Sequence, residues 1–126
     1  MILLKKLFGS KPSEDQKKIN WIPLTDINQL EEINESEKSV IIFKHSTRCG
    51  ISTMVLRKFE RNFTIEENQL KMYFLDLITY RSLSNKIASD YDVRHESPQL
   101  LLIEKGKVIV HNSHSGIHTI ALEDLV

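Results

Sequence analysis

Residues 39–44 read Ser-Val-Ile-Ile-Phe-Lys, an apolar run without the polar–apolar alternation of a half-exposed strand. Such a run is the mark of a strand buried on both faces, and that burial requires helices above and below a sheet. The flanking residues agree with this reading. Before the run, Thr25 or Asp26 can cap a helix carrying Ile27, Leu30 and Ile33 at helical spacing. After it, from Gly50 onward, Ile51, Met54, Val55 and Phe59 fall three or four apart and predict one buried helical stripe.

The rest of the chain extends the alternation. Ile19–Leu24 reads as a short strand whose Pro23 suits a sheet edge. Leu70–Leu77 is a further strand, and Leu83, Ile87 and Tyr91 mark a helix. Gln99–Glu104 and Lys107–His111 are two strands separated by Lys105-Gly106, the signature of a hairpin. A last helical piece begins near Gly116 and runs through Ile120, Leu122 and Leu125. The order β-α-β-α-β-α-β-β-α predicts an α/β fold with a central mixed sheet flanked by helices. Right-handed crossovers make it mainly parallel, and the hairpin adds an antiparallel edge. In such sheets ligands and chemistry gather beyond the carboxyl ends of the strands.

The totals narrow the function. A chain of 126 residues makes one domain: residues 1–18 are expected to be an N-terminal helical turn and linker, and 19–126 the folded domain. Seventeen basic residues balance seventeen acidic ones, which argues against a nucleic-acid partner. The apolar stretch ahead of Lys5-Lys6 is too short for a signal segment, and nothing approaches the ~20 apolar residues of a membrane span, so no integral membrane segment is expected. One cysteine cannot form an intramolecular disulfide, and the count favours a reducing cytoplasm.

That cysteine carries the chemistry. Residues 44–52 read Lys-His-Ser-Thr-Arg-Cys-Gly-Ile-Ser, placing Cys49 just after the buried strand and at the head of the following helix. A free cysteine has a pKa of about 8.5, and a helix N-terminus or a nearby cation lowers it. Cys49 is therefore the candidate catalytic nucleophile. Its polar, loop-like surroundings set it apart from a buried structural cysteine. Arg48, Gly50, Ser52, Thr47 and His45 are the candidates for stabilising the thiolate or binding an incoming thiol. Arg48 brings a permanent charge, Gly50 lets a small thiol approach, and Ser52, one turn on, offers a hydroxyl. His45 is either a base near the sulfur or a solvated loop histidine. His95, His111, His114 and His118 lack a placed thiolate or carboxylate for a metal and read as surface residues, so no metal is expected.

The second informative stretch is Glu96-Ser97-Pro98-Gln99, ahead of a central strand. A cis Ser97–Pro98 bond there would leave the preceding backbone amide and carbonyl open to pair with an extended peptide or a thiol, making Ser97 and Pro98 a substrate groove.

With these features in hand, the chain resembles a thioredoxin fold. Within it, Ser-Thr-Arg-Cys-Gly-Ile-Ser and Glu-Ser-Pro-Gln resemble the monothiol bacilliredoxin (YtxJ-like) family over roughly residues 20–122. Gly50 stands where many members have proline. The resemblance implies a bacterial thiol-disulfide oxidoreductase of redox homeostasis that removes bacillithiol from mixed disulfides on client proteins. Bacillithiol, a small thiol used by some bacteria in place of glutathione, would be a co-substrate, with no cofactor bound. The implied partners are S-bacillithiolated clients and the small thiol, met by a monomer. Other readings share part of the pattern. A monothiol glutaredoxin holding a [2Fe–2S] cluster has Cys-Gly-Phe-Ser, but no Gly-Gly-x-Asp-like segment follows the hairpin here. An arsenate-reductase-like enzyme would need several arginines around its oxyanion, and only Arg48 is near in sequence. A peroxidase would carry a proline where Ile42 stands. A non-catalytic thioredoxin-like adaptor would use the Ser97-Pro98 groove alone.

Overall fold

A computed structural model describes residues 19–126; the expected N-terminal turn and linker, residues 1–18, lie outside the described residues. Among the described residues five strands form one sheet: β1 (Ile22–Pro23), β2 (Ser39–His45), β3 (Leu70–Asp76), β4 (Gln99–Glu104) and β5 (Lys107–Ser113). Every residue of β2 is buried, as its composition demands. The spatial order is β1-β3-β2-β4-β5, with β1, β3 and β2 parallel and β4 and β5 antiparallel to their neighbours. The sheet is therefore mixed, with its parallel half built by crossovers and its antiparallel half by the hairpin. The hairpin turns at Lys105-Gly106, whose φ values of 50° and 78° are both left-handed, as a two-residue turn that follows strand twist requires. A one-residue bulge interrupts its register after Leu102.

Among the described residues three α-helices cover the sheet: α1 (Gln29–Glu35), α2 (Gly50–Asn62) and α3 (Arg81–Tyr91). Alternate residues of β2 serve opposite faces. Val40 and Ile42 pack with Leu30 and Ile33 of α1 and Leu83 and Ile87 of α3. Ile41 and Phe43 pack with Val55 and Phe59 of α2 and with Ile117 and Leu122 near the C-terminus. Trp21, just before β1, closes that second layer against Phe43, Phe59 and Phe74, its indole N–H donating to Glu60.

Four expectations change. The buried stripe of α2 runs through Ser52, Val55 and Phe59, while Ile51 and Met54 are 62% and 72% exposed. The helix is rolled so that a serine faces the end of β2, which carries the two apolar side chains outward beside Cys49. The first helix is narrower than expected: Asn28 precedes α1, Asp26 accepts from the Asn28 amide, and Ile27 is exposed. The first strand shrinks to Ile22–Pro23 at the edge. The final element consists of two 3₁₀ turns, His114–Thr119 and Leu122–Asp124, rather than an α-helix. Its buried anchors, Ile117 and Leu122, are five residues apart, a spacing no α-helical face presents twice. Gly116 lets the Asn112 side chain lie close against it, where a Cβ would force that amide to move. Among the described residues no helix is long and apolar enough to cross a membrane.

Candidate active site

β2 delivers the chain to the carboxyl end of the parallel strands, where the Leu77 amide donates to the His45 carbonyl at 3.1 Å. Residues 46–49 then form a turn closed by the Cys49 amide on the Ser46 carbonyl at 3.2 Å. Cys49 is the N-cap of α2: its backbone is extended (φ −110°, ψ 120°), and its carbonyl accepts from the Thr53 amide at 3.1 Å and the Thr53 hydroxyl at 3.2 Å. A typical N-cap spends a side-chain oxygen on the free amides of the first turn. Here the capping side chain is a half-buried thiol that makes no such bond. The first-turn amides, without acceptors inside the helix, thus lie where a sulfur anion would sit, at the positive end of the helix dipole.

The neighbouring side chains divide differently from the sequence expectation. Ser52 does not serve the sulfur. It is fully buried, its Oγ accepts from the Ser46 amide at 3.2 Å, and it lies 2.7 Å from His45 Nδ1. Among the described residues the Ser52 hydroxyl proton has no other acceptor, which favours the tautomer of His45 whose Nδ1 accepts it. His45 is neither a solvated loop residue nor a partner of Cys49. It is buried against Phe74 at a ring separation of 5.4 Å. Burial pushes its pKa below the usual histidine value, with Asp76 and then Glu60 opposing that shift. Thr47, Arg48 and Gly50 are exposed around the thiol, and a Cβ on Gly50 would meet nothing within 4 Å. Arg48 forms no ion pair or hydrogen bond among the described residues.

The second strand ending at this edge is β4, antiparallel to β2, with Gln99 opposite Lys44. This pairing brings the segment just before Gln99 alongside the segment just after Lys44, so Ser97 and Pro98 share the edge with Cys49. The Ser97–Pro98 bond is cis. The Pro98 carbonyl is taken by the His114 amide at 2.9 Å, whereas among the described residues the Ser97 amide and carbonyl have no partner. The Ser97 Oγ is buried and also unpartnered.

Sequence reasoning missed a cluster behind this loop. Lys44, in the middle of the sheet, is completely buried. Its ammonium donates to the Ser84 carbonyl at 3.1 Å and lies 3.4 Å from His95 Nδ1, which is 3.1 Å from the Ser84 hydroxyl. His95 is thus not a surface residue but half-buried and engaged. The signal was present as the one charge ending an otherwise apolar strand. Burial, then Arg81, lowers the Lys44 pKa to about 8. Burial, then Lys44 and Arg81, pushes His95 down, against a smaller upward pull from Glu96. Glu96, on the same loop, accepts from the Ser113 hydroxyl, the main cause holding its carboxyl below the usual range. Among the described residues no three metal-ligating side chains converge.

Comparison with known proteins decides what this arrangement belongs to. The model of the family described as monothiol bacilliredoxin BrxC matches residues 22–122. The chain belongs to the monothiol bacilliredoxin family. It is also similar to a solved structure described as a candidate oxidoreductase with a thioredoxin fold, at 32% identity over 82% of this chain and 91% of that one, with a TM-score of 0.71. Thioredoxins of Malassezia sympodialis and Trypanosoma brucei brucei share the fold at 17% and 15% identity. Their TM-scores are both 0.65, covering 87% and 86% of this chain and 90% and 93% of theirs. As a bacilliredoxin-family protein with a thioredoxin-like fold, the chain is a thiol-disulfide oxidoreductase whose partners are thiols.

Proposed function

We propose that the protein removes bacillithiol from client proteins through Cys49. The thiolate attacks the bacillithiol sulfur of a client–S–S–bacillithiol disulfide, forming Cys49–S–S–bacillithiol as the client thiolate leaves with the electron pair. A second bacillithiol thiolate attacks the adduct at its bacillithiol sulfur. Bacillithiol disulfide is released and the Cys49 thiolate returns, so sulfur and electrons balance with one protein cysteine.

The observation that carries this reading is the state of Ser52. It occupies the position where a dithiol enzyme of this fold has its resolving group, and it is sealed between His45 and the Ser46 amide. With no second thiol in the chain, resolution falls to a thiol from outside. The unpaired Ser97 backbone supports a client laid as an extended strand beside Cys49. Exposed Ile51 and Met54, in the first turns of the helix that Cys49 caps, offer apolar contact to a client.

Mass spectrometry of a bacillithiolated client tests the proposal. The client should lose one bacillithiol while Cys49 gains one, and added bacillithiol should clear the adduct. Survival of the modified client against a stoichiometric excess of protein, or equal performance by Cys49→Ser, would sink it.

A further inference from the structure

Lys44 raises a question the reaction leaves open. A lysine with no exposed surface sits in a central strand, and among the described residues no carboxylate lies within ion-pair reach of it. A buried charge without a counter-ion opposes folding, and an apolar side chain of similar length would fit the same strand better. What the ammonium does instead is join two elements. One N–H is spent on a carbonyl of α3 and another is directed at His95, in the loop that leads to Pro98.

That loop is held by side chains. Besides the Lys44 and Ser84 contacts to His95, the Gln99 Nε2 donates to the Arg94 carbonyl at 2.8 Å and Glu96 accepts from Ser113. Among the described residues no backbone–backbone hydrogen bond fixes residues 94–97. Lys44 and Gln99 are cross-strand partners, so the two grips on consecutive residues Arg94 and His95 come from one place in the sheet. The unpaired Ser97 amide and carbonyl follow two residues later.

We propose that Lys44 is a positioning residue for extended polypeptide substrates: by tying His95 to α3 it sets where the open Ser97 backbone stands relative to Cys49. The inference rests on the exchange chemistry proposed above and adds the element that distinguishes a polypeptide disulfide from a small one. Ammonium and neutral amine both retain N–H donors, so the tie survives the titration of Lys44 near pH 8. Neutral His95, favoured by burial and by Lys44 itself, has one ring nitrogen free to accept, and Nδ1 is the one that faces the Lys44 donor.

The test compares two disulfides that release the same chromophore. One is an extended peptide whose cysteine is paired with thionitrobenzoate, and the other is the small symmetric dithiobis-nitrobenzoate. In each case the Cys49 thiolate forms a new disulfide and expels thionitrobenzoate. Lys44→Met should react with the small disulfide within twofold of the parent and with the peptide at least tenfold more slowly, while its melting temperature stays level or rises. His95→Ala, a change in the loop rather than the core, should reproduce the selective loss, and His95→Gln, which keeps an acceptor, should restore part of it. Unchanged peptide rates in both variants, or equal losses on both disulfides, would overturn the proposal. So would a Lys44→Met chain that fails to fold beside a His95→Ala chain with normal peptide rates. Parallel incubation with a bacillithiolated client separates the two ideas. If the parent leaves that client modified yet Lys44→Met shows the selective loss, the functional reading fails and the positioning role stands.

Discussion

Replacing Ser52 with alanine separates two roles that the sequence alone leaves entangled. The substitution deletes one oxygen and, with it, two hydrogen bonds: the one from the Ser46 amide at 3.2 Å and the one to His45 Nδ1 at 2.7 Å. Each bond has a net worth of about 0.5–1.5 kcal/mol, and a buried acceptor left without a partner adds roughly 1–3 kcal/mol. His45 Nδ1 is stranded in a buried site, whereas the half-buried Ser46 amide can turn to water. The sum is a destabilisation of about 2–6 kcal/mol. With a urea dependence of about 2 kcal/mol per molar, the unfolding midpoint should fall by about 1–3 M at unchanged slope. The thiol should be almost untouched: among the described residues nothing joins Ser52 to the sulfur, so the pH midpoint of Cys49 alkylation by iodoacetamide should stay put. If the hydroxyl instead served the thiolate, losing a hydrogen bond to a charge, about 1.5–3 kcal/mol, would raise that midpoint by about 1–2 pH units. A raised alkylation midpoint with less than about 1 kcal/mol lost in stability would refute the assignment of Ser52 to the frame.

Other outcomes follow from the same geometry. Gly50→Ala should stabilise the protein by about 0.5–1 kcal/mol in urea, because the added Cβ meets nothing and the unfolded chain loses freedom; destabilisation would mean the first turn is not the one described. Ser52→Cys should install an internal resolver one helical turn from Cys49: its thiolate attacks the Cys49–bacillithiol disulfide and expels bacillithiol, so after reaction with a bacillithiolated client the protein is two hydrogens lighter and carries no adduct; a persistent adduct would contradict the proposed division of labour. His45, His95 and His118 are all pushed below the usual histidine value, mainly by burial. The unfolded chain then binds more protons than the native one as pH drops, so their stabilisation is complete above about pH 6.5 and lost progressively below it. Urea midpoints should therefore decline from pH 7 to 5, less steeply in His45→Gln, and a midpoint that rises on acidification would refute the burial of these rings.

Much of this protein is readable along the chain, and the reason is physical. A continuous apolar strand, helical spacing on both sides and a Lys-Gly hairpin are local patterns, each with few structural solutions, and together they require layered helices on a mixed sheet. The position of Cys49 at a strand-to-helix junction is likewise a property of order in the chain. Tertiary contacts decided the rest. The inward face of α2 carries Val55 and Phe59 into the core and Ser52 onto the His45 ring at the end of β2, leaving Ile51 and Met54 outside. His95 became half-buried and engaged because α3 and the end of β2 converge on it from 11 and 51 residues away. Spacing in sequence names the residues able to do chemistry. Whether a serine touches a sulfur or a histidine, and whether a lysine meets water or an α-helix, is settled by hydrogen bonds between segments that only the folded chain brings together.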